Sequence, residues 1–157
     1  MSSTMSEETR IKPYEGLFLF PQAALADLGS AVEHVQTILS RAGAEVIAFS
    51  KWDERKLAYD IAGNKRGVYL LAYFKVATSK LVGIERDCNL SERLLRTLII
   101  RADHMTEEQM RAADARQKLE DEIRLRATQP AAVFQEDQSD DREEMIEEEE
   151  EVEAAEA

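Results

Sequence analysis

The run Val68-Tyr69-Leu70-Leu71-Ala72-Tyr73-Phe74-Lys75-Val76 constrains the fold more than any other stretch. One parity holds Val68, Leu70, Ala72, Phe74 and Val76, all apolar. The other holds Tyr69, Leu71, Tyr73 and Lys75. Successive side chains of a strand point to opposite faces. This strand therefore offers one face to a core of helices and the other to something wetter or to a partner. Before it, Ala44–Ile61 reads as a second long strand, with a charged interruption at Asp53–Lys56 that predicts a kink or bulge. Ala62–Gly67 is predicted as the turn between them, with Asn64, Lys65, Arg66 and Gly67 as a basic tip.

The flanking segments complete a pattern. Tyr14–Phe20 alternates and is aromatic-rich, which predicts a strand ended by Pro21. Leu25, Leu28, Val32, Val35, Leu39 and Ala42 recur at spacings of three and four, one face of a helix capped by Gly43. Leu81, Ile84 and Cys88 predict a shorter helix, and Leu94–Arg101 a last strand. The order β-α-β-β-α-β is that of the ferredoxin-like sandwich, an α+β fold with a four-stranded antiparallel sheet and two helices on one face. Right-handed crossovers put the first and third strands in the centre. The expected division is a flexible stretch 1–11, the sandwich 12–105, a charged helical extension 106–127 and a disordered acidic tail 128–157. The extension carries a thin apolar stripe of Ala112, Ala115, Leu119 and Ile123, which predicts a solvent-exposed or partner-bound helix. Folding back over the open sheet face is the alternative.

Charge matters because it is unevenly spread. The chain's formal charge is −12, but residues 10–105 hold 14 Lys and Arg against 11 Asp and Glu, and residues 127–157 hold 13 acids against Arg142. The predicted sandwich is mildly basic, compatible with an anionic partner. The single cysteine, Cys88, precludes an intramolecular disulfide and fits a reducing compartment. It is expected to be a small buried hydrophobe. The amino terminus lacks the apolar core of a signal peptide, and no apolar run is long enough to span a membrane. The expectation is a cytoplasmic protein without a membrane partner.

Enzyme chemistry finds no support. His34 and His104 stand apart, near no Cys or His partner, and are expected to face solvent; a zinc site needs about four ligands at short paired spacings. No nucleophile–base pair, phosphate-binding glycine loop or paired catalytic carboxylates stand out. No cofactor, metal or small-molecule substrate is expected. An RNA-recognition motif shares the element order, and its third strand reads K/R-G-F/Y-G/A-F-V-x-F/Y. Arg66-Gly67 and Tyr73 fit that pattern, but Val68 and Leu70 stand where bases would stack. The open face instead presents Leu17, Leu19, Tyr69, Leu71, Tyr73, Leu98 and Ile100, a largely apolar patch suited to protein. The cations Lys12, Arg55, Lys56, Lys65, Arg66, Arg93, Arg96 and Arg101 fall at strand ends and turns, where rigid backbone can aim them at phosphates.

Several of these residues together resemble a known family. The Tyr14-Glu15 opening, Gly43 before a long strand, Arg55-Lys56-Leu57-Ala58-Tyr59 leading to Ile61, the Gly67-led third strand and Leu95-Arg96-Thr97-Leu98-Ile99-Ile100-Arg101 are similar to the bacterial family of the sixth small-subunit ribosomal protein. The resemblance covers about residues 12–103. It implies a structural, non-enzymatic role: binding the central domain of 16S ribosomal RNA, paired with the eighteenth small-subunit protein. Tyr14, Arg55, Lys56, Arg96 and Arg101 sit at motif positions, and Lys12 where a basic residue is frequent. Asp60 stands in place of a common proline, and Pro13 in place of a frequent basic residue. Gly16 replaces a larger core residue, so Phe18 or Phe20 is expected to fill its space. The alternative is a free-standing ferredoxin-like module that binds a protein or small ligand as a regulator.

Overall fold

Val68, Leu70, Ala72, Phe74 and Val76 are all buried, so the alternation in the third strand sorts its side chains as expected. The computed structural model describes residues 10–128. The expectations for the first nine residues and for the acidic run after Thr128 lie outside the described residues. The chain divides into two units, 1–127 and 128–157, and nearly everything described belongs to the first.

The strands are β1 (Ile11–Pro21), β2 (Glu45–Ile61), β3 (Asn64–Ala77) and β4 (Arg96–Arg101), and the helices are α1 (Leu28–Arg41), α2 (Leu81–Leu90), α3 (Glu107–Ala112) and α4 (Arg116–Thr128). The sheet is antiparallel in the order β2-β3-β1-β4, with β3 and β1 central. Phe18, Phe20 and Tyr14 of β1 join the even residues of β3 in one core with Val35, Leu39, Ile84 and Cys88 of the helices. A Cβ on Gly16 would lie 2.9 Å from the Phe18 ring and 3.1 Å from Phe74, so Phe18 fills the space beside this glycine. Cys88 is buried, and burial pushes its thiol pKa up. At the end of α1, Gly43 adopts φ +71 and donates its N–H to Ser40, and Ala44 donates to Leu39, closing the helix at the expected glycine.

The hairpin turn is shorter than expected. It consists of Ala62 and Gly63, with φ +48 and +79, and Asn64 already pairs with Ile61. Positive φ at both central residues is the two-residue geometry that matches strand twist. Asn64, Lys65, Arg66 and Gly67 are therefore in β3 and not at the tip. The slack is taken up in β2, whose register slips between Val46 and Ala48, between Lys51 and Asp53, and between Lys56 and Ile61. The slipped end lets Leu57 and Ile61 pack on Leu19. Gly67 makes this approach possible, since a Cβ there would lie 2.6 Å from Leu19 Cδ1 and 3.0 Å from the Phe20 carbonyl oxygen. Gly67→Ala is expected to lower stability by about 1–3 kcal/mol, because the backbone oxygen cannot yield as a side chain can. Urea denaturation measures it, and an unchanged midpoint would contradict this packing.

The C-terminal segment departs from expectation in being two docked helices instead of one exposed helix. Thr106 and Gln109 form a capping box that starts α3. Met110 of α3 is buried with Tyr73, Ile47, Ala48 and Ala102, so α3 covers one end of the otherwise open sheet face. The chain then turns around the edge of β2. Asp114 Oδ1 accepts from the Phe49 N–H at 3.0 Å, Ala115 donates its N–H to the Phe49 carbonyl at 3.1 Å, and Arg116 donates to the Ile47 carbonyl at 3.1 Å. These contacts occupy backbone groups that an edge strand would otherwise offer to another chain. Leu119 and Ile123 of α4 join the helix-side core. Lys51 lies 2.5 Å from Glu122 and 2.8 Å from Glu54, and Arg126 lies 2.9 Å from Glu122 and 2.8 Å from Glu54.

This four-membered network gives α4 an acid-labile attachment. Burial alone would raise the Glu122 pKa, but Lys51 and Arg126 overcome it and hold the carboxyl below its ordinary value of 4.5. A depressed carboxyl stabilises the fold above its unfolded pKa, and that stability is lost as pH falls through the folded value. Glu122→Gln is expected to lower stability at pH 7 and to flatten its loss on acidification below about pH 5. Urea midpoints across the acid range test this; parallel pH curves would contradict it.

Candidate nucleic-acid interface

The register places the predicted cations in two groups at opposite ends of the sheet. Lys56 pairs with Arg66, Arg55 with Gly67, Gly67 with Pro21, and Leu19 with Arg96. These pairings bring Arg55, Lys56, Lys65, Arg66 and Arg96 to the hairpin end. Lys12, beside Val76, and Arg101, opposite Tyr14, lie at the other end. Arg101 is five residue steps from Arg96 along β4, roughly 17 Å at strand rise. Arg93 belongs to neither group; it sits in the loop before β4 and donates to the Ser30 carbonyl at the start of α1.

Lys56, Lys65, Arg93 and Arg96 are exposed, and Lys12 and Arg66 partly so. Arg55 is held rigidly: its Nε and Nη2 donate to Asp53 at 2.8 and 2.6 Å, and its guanidinium lies 4.9 Å over the Trp52 ring. Arg55 thereby keeps the Asp53 carboxyl below its usual range. Arg96 donates to the Leu95 carbonyl at 2.8 Å. Arg101 bridges to Asp103 at 2.9 Å and lies 5.9 Å over the Tyr14 ring. Tyr14 itself is only 3% exposed and stacks on Phe74, so it props Arg101 and cannot present its ring to a base.

The apolar strip is narrower than the sequence implied. Leu98 is 58% and Ile100 44% exposed, while Leu17, Tyr69 and Leu71 are half-buried. Leu19 and Tyr73 are on the expected face but buried, Leu19 under the curled hairpin and Tyr73 among the residues packed by Met110. Between the hairpin and β4 lies a groove of about 260 Å³, lined by Leu17, Leu57, Tyr59, Tyr69 and Leu98 with Arg96 at its side. Sequence reasoning missed Trp52 and Tyr59, both exposed. The available signal was an aromatic residue in a run otherwise charged, three residues before Arg55-Lys56.

His34 also differs from expectation. It is partly buried, with Nε2 2.7 Å from Ser91 Oγ. Burial first, then Arg93 and Arg41, lower its pKa, so the ring stays neutral at pH 7. Ser91 Oγ also accepts the Arg93 N–H, leaving its own proton for His34. The pair ties α1 to the loop before β4. Among the described residues there is no group of acids, His and Cys that could hold a metal ion, and no helix is long and apolar enough to cross a membrane.

The fold and surface are those of a ferredoxin-like sandwich with cations at its strand ends and an apolar strip on one face. The chain belongs to the ribosomal protein S6 family, whose model matches residues 13–101. It is a structural ribosomal protein and not an enzyme. The small ribosomal subunit protein bS6 of Campylobacter jejuni serotype O:23/36 is 33% identical over 98 residues, covering 62% of this chain and 78% of that one. Its counterpart in Fusobacterium nucleatum is 31% identical over 94 residues, covering 59% of this chain and all of its own length. The crystal structure of 30S ribosomal protein S6 from Thermotoga maritima superposes with a TM-score of 0.56 at 21% identity, covering 66% of this chain and 98% of that one, a likeness of fold.

Proposed function

We propose that the chain is a structural constituent of the small ribosomal subunit in the cytoplasm. It binds the central domain of 16S ribosomal RNA together with the eighteenth small-subunit protein. The observation that carries this reading is the separation of two surfaces on one sheet. Cations cluster at the strand ends, and the exposed apolar residues Leu98 and Ile100 lie on the uncovered face of edge strand β4. Strand-end cations meet phosphates at fixed spacing without a side-chain search. The apolar strip is protected from water only when protein covers it. Lys12, Arg55, Lys56, Lys65, Arg66, Arg93, Arg96 and Arg101 are the proposed phosphate contacts. Leu17, Tyr69, Leu71, Leu98 and Ile100 form the protein face. Ultraviolet crosslinking in cells, followed by sequencing of the attached RNA, tests the RNA half. Crosslinks concentrated in the 16S central domain are expected, and crosslinks spread over unrelated RNAs would overturn it. Exchange of Leu98 for Asp is expected to abolish copurification of the eighteenth protein while leaving RNA crosslinks in place.

A further inference from the structure

Trp52 is the chain's only tryptophan, and the residue is 50% exposed. It sits on edge strand β2, where the register slips between Lys51 and Asp53. A slip of this kind re-aims a side chain relative to its neighbours. Its indole is not loose. Tyr69 meets it edge to face at 5.5 Å and 87°, and the Arg55 guanidinium lies 4.9 Å from the ring centroid. Arg55 is pinned in turn by its two bonds to Asp53. An exposed aromatic ring that is held by its neighbours has little entropy left to lose when a flat ligand lies on it.

We propose that Trp52 is a stacking seat for one unpaired nucleobase, with the exposed Lys56 taking the flanking phosphate. The inference rests on the RNA-binding reading and deepens it. The third strand lacks aromatic residues at the central positions of a sheet-face platform, where Val68 and Leu70 are buried in the core. The exposed aromatic surface is displaced instead to the sheet edge, next to the hairpin cations. Stacking on an aromatic ring tolerates any base, because every base has a π-face, so this seat adds affinity without fixing sequence. A protein partner is the competing occupant. It is disfavoured because the ring lies against Arg55, which is paired with Asp53, and an apolar protein contact would have to desolvate that ion pair.

The single tryptophan makes the test direct. The full chain is titrated at low salt with fluorescently labelled single-stranded oligoadenylate, and with an abasic oligomer carrying the same number of phosphates. Label anisotropy reports binding, and indole emission reports contact with Trp52. Oligoadenylate is expected to bind and quench the indole, while the abasic oligomer binds more weakly and leaves emission unchanged. Trp52→Ala is expected to weaken oligoadenylate binding about tenfold, with Trp52→Phe restoring most of it. Oligoadenylate that binds without quenching, and equally well to Trp52→Ala, would overturn the stacking seat while leaving the RNA reading intact. Failure of both oligomers to bind would count against the RNA reading itself, and the seat would fall with it.

Discussion

Replacing Phe18 with alanine is expected to lower folding stability by about 3–5 kcal/mol. That is a large share of the roughly 5–15 kcal/mol that holds a domain of this size together. Phe18 is fully buried on central strand β1, between Leu70 of β3 and Thr97 of β4. Its ring, with that of Phe74, fills the space beside Gly16. The strands on both sides are fixed by their ladders, so the cavity cannot collapse and the loss includes both transfer and void. Exchanging Gly16 for alanine alone forces the Phe18 ring to move and also destabilises. Combined with Phe18→Leu, the two changes are expected to compensate in part, because they act on one space. Urea denaturation of the single and double variants reads both effects. A loss below about 1.5 kcal/mol for Phe18→Ala would mean that the core repacks, and the central role given to this ring would be wrong.

Simultaneous replacement of Lys56, Lys65 and Arg96 by alanine is expected to cut RNA affinity without disturbing the fold. All three are exposed, and Lys56, Lys65 and Arg96 lie at the same end of the sheet. Each cation that neutralises a phosphate releases a counterion, so each contributes about one unit to the slope of log affinity against log salt. The triple variant should lose about 2–3 units of slope, with its melting temperature unchanged. A parallel salt dependence in parent and variant would show that these residues are a solvated rim.

What the sequence made legible was whatever depended on local periodicity. The even residues of β3 had to be buried because they are apolar without exception, and the helix stops at Gly43 because α-helix cannot continue through φ +71. The expected turn ran too long because Asn64-Lys65-Arg66-Gly67 has turn composition. The actual turn uses Ala62 with φ +48, a conformation a non-glycine residue seldom adopts. Leu19 and Tyr73 lie on the face that parity assigned to them, yet the hairpin and α3 cover them, and no local signal carries that. The break between α3 and α4 is tertiary in origin too. Asp114 matches an i,i+4 partner in Lys118, but its carboxylate is used instead to accept the Phe49 N–H and to hold Arg116. Trp52 escaped notice because the slip in β2 hides its parity.

The most direct test of a structural role in the small subunit is sedimentation of cell lysate through a density gradient, with this protein followed before and after a high-salt wash. Co-migration with small subunits, progressively loosened by salt, is the predicted result. A protein that remains in the soluble fraction at every salt concentration would contradict it, and the sandwich would then serve a free-standing regulatory module instead.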